Sequence, residues 1–210
     1  MLTMNDLVGS DAVATWTDPS NPSDIISFSI DKPNKINRLT DVNKDIFYNV
    51  EFGEVEEITY KSVDEKYVQG WIVKPPNFDS NKKYPLVLRI HGGPHSMYHV
   101  GFNYNFQLHA AQDQVVLYTN PRGSTGYGYD FANAIQNAYP GNDYDDIMYG
   151  VDEVISRGYI DENRMYVYGG SGGGVLTSWI VGKTDRFAAA SVNYPVTVSY
   201  THLTLPTSSR

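Results

Sequence analysis

Five glycines surround one serine in the stretch Val167–Ser178, VYGGSGGGVLTS. Glycine loses more conformational freedom on folding than any other residue, so a run this dense marks a backbone requirement rather than a regular element. It lies between a short apolar segment, RMYVYGG, and a helix-compatible one, GVLTSWIVG. Two chemistries use glycines at such a junction. A loop can wrap phosphate with backbone N–H groups, or a tight turn can lift a serine nucleophile above a sheet.

Spacing separates the two. A Walker loop needs Gly-Lys-Ser/Thr at its end, and no lysine follows the run before Lys183. A dinucleotide fingerprint needs a third glycine where Val175 or Thr177 stands. The serine turn fits: Gly169-Gly170-Ser171-Gly172-Gly173 satisfies G-x-S-x-G between a buried strand and a helix. Gly169 and Gly173 supply the small neighbours that a sharp turn demands. Gly172 places an N–H at the helix start, where positive partial charge stabilises an oxyanion.

The rest of the chain alternates strand and helix. EEITYKS and YVQGWIVKPP read as a strand pair. LVLRIH (86–91), VVLYTN, RMYVYGG and FAAASVNYP read as buried strands. FQLHAAQDQ, YDFANAIQNA and DYDDIMYGVDEVISRG read as helices. The last is the clearest, with Ile147, Val151, Val154 and Ile155 on one face and Gly158 as a stop. This alternation predicts a mostly parallel sheet with flanking helices. Functional groups in such sheets gather at the carboxyl ends of the strands. HGGP, NPRGSTGYG and GGSGGG all fall there. HGGP precedes the serine by about 80 residues, and its two glycines can free a second oxyanion N–H beside that of Gly172.

Residues 1–52 differ. AVATWTD and DIISFSID are short β-like runs between turn-rich segments, and two strands make no stable core. They predict the tail end of a larger all-β unit and a linker, with the catalytic-type domain over 53–197. The segment VSYTHLTLPTSSR (198–210) lacks an apolar period. It resembles a translated sequencing-adaptor read-through and is set apart as a non-native or disordered tail.

Composition narrows the function classes. The net charge of −8, with no Lys/Arg cluster, argues against nucleic acid as a partner. No apolar run reaches membrane-spanning length, and the N-terminus has no signal-peptide form, which points to a cytoplasmic location. Cysteine is absent, which removes disulfides, thiol catalysis and Cys-ligated zinc. His91, His95 and His99 are spaced by four, but Gly92, Gly93 and Pro94 forbid the helix that would bring the first two together. No metal and no cofactor are expected. His91 is read as shaping the loop beside the oxyanion hole.

GWIVKPPNFD…KKYPLVLRIHGGP, NPRGSTGYGYDFANA, DYDDIMYGVDEVISRGYIDENR and GGSGGG, in this order and spacing, resemble the prolyl oligopeptidase family of serine peptidases. The acylaminoacyl-peptidase and dipeptidyl-peptidase-like branches are the nearest in pattern. The resemblance covers Glu54 to Pro195. It implies an α/β-hydrolase fold preceded by the last strands of a β-propeller that filters substrates by size. It also implies Ser171 as nucleophile, Gly172 and Gly93 as oxyanion donors, and Asn120, Arg122 and the Tyr127 loop near the pocket. Short peptides would be the substrates, and the full-length protein could be a homo-oligomer. Many family members carry Tyr where this chain has Gly172, which removes a pocket wall.

The fold's chain order is Ser, then Asp or Glu, then His. The only histidine after Ser171 is His202, in the segment set apart above. The chain is therefore expected to be a C-terminally truncated piece, inactive as written and poorly soluble. An esterase or lipase on the same fold, or a non-catalytic hydrolase-like domain, are the competing readings.

Overall fold

The computed structural model describes residues 1–196; residues 197–210, which take in the segment 198–210 and its His202, lie outside it. Two sheets carry the architecture. The first contains β1 (Leu2–Val8), β2 (Asp11–Trp16), β3 (Asp24–Ser29) and β4 (Lys32–Arg38), each antiparallel to the next. This is the form of one propeller blade. The sequence predicts only β2 and β3. The two outer strands escape it because all their residues are exposed, the Leu2–Asn5 alternation of β1 breaks at Asp6, and β4 is mostly polar. Pro33, a strand breaker elsewhere, is tolerated on the edge strand β4. Ala12, Ala14 and Ile26 form the blade's small buried face. A short helix, α1 (Lys44–Phe47), follows, and Phe47, Phe52 and Phe102 pack against one another where the linker meets the second unit.

The second sheet has six strands: β5 (Val55–Lys61), β6 (Tyr67–Val73), β7 (Tyr84–Ile90), β8 (Val115–Asn120), β9 (Ile160–Gly170) and β10 (Ala189–Asn193). Their spatial order is β10-β9-β7-β8-β6-β5. The four strands β10, β9, β7 and β8 run parallel, while β6 and β5 are antiparallel additions. This is the mostly parallel sheet that the alternation predicts, in the α/β-hydrolase arrangement that the family resemblance implies.

Side chains along the central strands alternate between two cores. Leu86, Leu88, Ile90, Val115, Leu117, Met165 and Val167 face α4 (Asn142–Ser156) and α5 (Gly172–Lys183). Ile147, Val151, Val154, Leu176 and Ile180 meet them from the helices. Val87, Val116 and Tyr118 face the opposite way, onto Phe106 and Ala110 of α2 (Tyr104–Ala110). Each such side chain removed from water contributes about 1.5–3 kcal/mol, which explains why these runs are almost continuously apolar. The helix predicted over 129–138 is shorter, α3 (Tyr129–Asn133). Its continuation breaks into turns, and Asn137 adopts a φ of 60°.

Topology creates the crevice. From β7 the chain crosses to β8 on one side and later returns to β9 on the other. Connections that leave adjacent strands in opposite directions open a gap at the carboxyl ends. The register pairs Ile90 with Gly169, so the HGGP loop and the serine turn emerge side by side.

Candidate active site

Ser171 sits between β9 and α5 with φ 56° and ψ −119°. A non-glycine residue there is strained, and such strain is held only where the surroundings over-determine it. The glycines around it show how. A Cβ on Gly169 would lie 2.4 Å from the Gly173 carbonyl oxygen. One on Gly173 would lie 2.4 Å from the Ile90 oxygen and 2.7 Å from that of His91. The turn is thus closed on itself and pressed against the end of β7. The Ser171 N–H donates to the Asn193 carbonyl at 3.1 Å, which ties the turn to the end of β10 as well.

The Ser171 hydroxyl has no hydrogen-bond partner among the described residues and is partly accessible. The HGGP loop lies directly over the turn. A Cβ on Gly92 would be 3.4 Å from the Ser171 Cβ. A Cβ on Gly172 would stand 2.9 Å from the Gly93 carbonyl carbon and oxygen and 3.1 Å from its nitrogen. The Gly93 backbone therefore occupies the space that a side chain at Gly172 would need. Gly93 itself has a φ of 122°, which favours glycine. Neither the Gly93 nor the Gly172 N–H has an acceptor among the described residues. Two free donors near a partly exposed hydroxyl can stabilise a developing oxyanion.

The three histidines of the HGGP region serve separate partners. His91 Nδ1 is 2.7 Å from the Gly92 carbonyl and Nε2 is 2.9 Å from the Ser124 hydroxyl. A carbonyl only accepts, so Nδ1 carries the proton, and Nε2 accepts from Ser124. Burial holds the His91 pKa below the usual histidine value. His95 Nδ1 lies 3.0 Å from the Gly123 oxygen, and His99 Nδ1 accepts from the Gly101 N–H at 3.1 Å. No group of metal-ligating side chains converges among the described residues.

Asn120 and Arg122, at the end of β8, are buried. Asn120 accepts from the Tyr98 N–H at 2.7 Å and donates to the Tyr98 oxygen at 3.0 Å and the Tyr127 hydroxyl at 2.7 Å. It fixes the segment that follows HGGP. Arg122 is held by a buried ion pair. It forks onto Asp146 of α4 through Nε and Nη2, both at 2.8 Å, and its N–H reaches the same carboxylate at 2.8 Å. Ser62 adds a bond to Asp146 at 2.6 Å. This buried pair holds the NPRGS loop, and with it Ser124, against the helix layer.

Sequence reasoning misses Ser124, Tyr139, Asp143, Asp146 and Asn193. The Tyr139 hydroxyl donates to the Gly172 oxygen at 2.7 Å. Asp143 accepts from the Gly141 N–H, while its Oδ2 is buried with no partner among the described residues. Burial pushes its carboxyl up to about 6. Most of these contacts join residues tens of positions apart, and no local pattern announces them.

The chain is similar to several known proteins. The family model described as "Prolyl oligopeptidase family" matches residues 100–208, an interval that takes in most of 198–210. The chain is 44% identical over 179 residues to the "Uncharacterized peptidase YuxL" of Bacillus subtilis, covering 85% of this chain and 27% of that protein. It is 37% identical over 139 residues to the "Dipeptidyl-peptidase 5" of Aspergillus fumigatus, covering 61% of this chain and 19% of that one. Its fold is similar to a solved acylaminoacyl peptidase in complex with Z-Gly-Gly-Phe-chloromethyl ketone. The TM-score is 0.84 and the identity 29%, over 92% of this chain and 31% of that one. The chain thus spans less than a third of the length of these proteins.

Proposed function

Because this chain belongs to the prolyl oligopeptidase family, we propose that Ser171 is the nucleophile of a serine peptidase acting on short peptides. The observation that carries this reading is the strained Ser171 conformation beside the Gly93 and Gly172 N–H groups, neither of which has an acceptor among the described residues. In the reaction, the Ser171 Oγ bonds to the scissile carbonyl carbon and its proton passes to a general base. The carbonyl π pair moves onto oxygen, where the Gly172 and Gly93 N–H groups stabilise it. Collapse breaks the C–N bond, the amine leaves with the proton returned by the base, and an acyl-serine remains. Water then hydrolyses the ester by the same steps.

The general base comes from outside residues 1–196. His91 cannot serve, because both ring nitrogens are engaged away from Ser171. Removal of that base is expected to leave Ser171 unreactive; losing the histidine of a serine-protease triad costs about 10⁶ in kcat. The peptide-like inhibitor on the solved relative supports a peptide rather than an ester substrate. The family's propeller would admit only short peptides, and the blade formed by β1–β4 supports that reading.

The test compares hydrolysis of N-blocked and free dipeptidyl chromogenic amides with that of short acyl esters by the full-length gene product. Peptide amides should be cleaved with turnover lost in Ser171→Ala. Ester hydrolysis with no amide cleavage would assign the site to an esterase instead.

A further inference from the structure

We propose that Tyr139 is a positioning residue for the serine turn: its hydroxyl clamps the Gly172 carbonyl and so fixes the residue whose N–H meets the substrate oxyanion. The inference rests on the reading of Ser171 as nucleophile and Gly172 as donor. The need for a clamp is written in the sequence. α5 opens with Gly172-Gly173-Gly174, and glycine is, after proline, the poorest helix former. None of the three positions has room for a larger residue. An added Cβ would stand 2.9 Å from the Gly93 carbonyl at Gly172, 2.4 Å from the Ile90 oxygen at Gly173 and 2.6 Å from the Asn193 oxygen at Gly174. The turn that carries the donor is therefore built from the residue least able to hold a helix.

Three hydroxyls meet these three carbonyls in succession. Tyr139 donates to the Gly172 oxygen at 2.7 Å, Thr177 to that of Gly173 at 2.7 Å and Ser178 to that of Gly174 at 3.0 Å. Thr177 and Ser178 bond back four residues within α5, a local arrangement common for these side chains that moves with the helix. Tyr139 reaches in from the loop before α4, so it ties the turn to a neighbouring element. Gly172 joins two peptide planes, and glycine lets both rotate. One plane is held through the Ser171 carbonyl, which accepts from the Val175 N–H at 3.1 Å. The other is held through the Gly172 carbonyl by Tyr139. A donor fixed before reaction costs no reorganisation in the transition state.

Tyr139 is itself placed. Its ring packs against the core that α4 and α5 share. The loop behind it is folded onto the start of α4. Asp143 Oδ1 accepts from the Gly141 N–H at 2.5 Å, and the Tyr144 N–H donates to the Gly141 oxygen at 2.9 Å. The Asn142 amide donates to Asp64 at 2.9 Å, which fastens the same loop to the segment after β5.

The test uses the full-length gene product, in which Tyr139→Phe keeps the ring and removes the hydroxyl. This variant should lower kcat about 10-fold, less than the loss of about 10²–10³ from deleting a donor outright, with KM changed by less than about threefold. Affinity for a peptidyl trifluoromethyl ketone, which forms a tetrahedral adduct, should fall by a similar factor, while a product peptide binds as before. Hydrogen–deuterium exchange should quicken at the amides of Val175–Ser178, which close the first turn of α5, and stay unchanged in β7 and β8. An unchanged kcat in folded Tyr139→Phe would overturn the proposal, as would an equal loss of product-peptide affinity. The wild-type protein gives a test that needs no variant to fold: these amides should exchange slowly, and rapid exchange would overturn the proposal. Ser171→Ala separates the two readings. If Ser171→Ala is inactive and Tyr139→Phe keeps full activity, only the positioning role fails; if Ser171→Ala stays active, the nucleophile assignment fails and this proposal with it.

Discussion

The serine turn and the N-terminal blade are opposite kinds of structure in one chain. At the turn, Gly169, Gly172 and Gly173 have no room for a methyl group, because backbone from β7, HGGP or the turn itself fills the space. In the blade, Gly9 adopts a φ of 61° with nothing within 4 Å of an added Cβ, and both outer strands are exposed throughout. Glycine serves crowding in one region and chain reversal in the other. The difference shows where the molecule is over-determined: tight packing and strain concentrate where a reactive group must be held against its own preference.

Mutations should reproduce that contrast. The largest effect is expected at the anchor beneath the loop. Arg122→Met leaves the Asp146 carboxylate buried without its cation and should cost about 3–5 kcal/mol, read by urea denaturation. Gly173→Ala should cost about 3 kcal/mol, the upper range for overpacking, since backbone oxygens rather than flexible side chains stand in the way. A cost below about 1 kcal/mol would show that the turn yields more easily than its contacts imply.

Asp143, near the start of α4, gives a pH-dependent test. Its folded carboxyl titrates at about 6, above the 3.8 of the free side chain, because burial disfavours the charge. The folded state therefore binds the proton more tightly. Its contribution is fully present below about pH 4 and is lost as pH rises through about 6. Asp143→Asn should flatten that decline, worth about 2 kcal/mol between pH 4 and pH 7. Identical pH–stability curves for the two proteins would contradict the assignment. The smallest effect belongs to the blade. Gly9→Ala should cost about 1 kcal/mol from left-handed backbone strain alone, visible as a small shift in denaturation midpoint. A loss as large as that of Gly173→Ala would erase the distinction between the regions.

The two regions also differ in how far the sequence reveals them. In the second unit the buried strands are apolar runs bounded by Gly and Pro, and α4 carries a strong apolar stripe and the Gly158 stop. The G-x-S-x-G and HGGP motifs place Ser171, Gly172 and Gly93 at strand ends of one sheet before any coordinates are known, and the fold sets those two ends side by side. In the blade, β1 and β4 bury nothing, and no sustained periodicity runs along either. The site's supports are hidden for another reason. Ser124 stands 33 residues from His91, and Asp146 stands 24 from Arg122. Their pairing follows from the crossing of β7, β8 and α4, which only the folded chain supplies. The consequence of Gly172 is likewise visible only once Gly93 is seen against it.

The most direct test of the central claim is to treat the full-length gene product with a fluorophosphonate and map the adduct by peptide mass spectrometry. Attachment to Ser171, absent from Ser171→Ala, is the predicted result. A label on another residue, or equal labelling of the Ser171→Ala protein, would contradict the assignment of the glycine-rich turn as a nucleophile elbow.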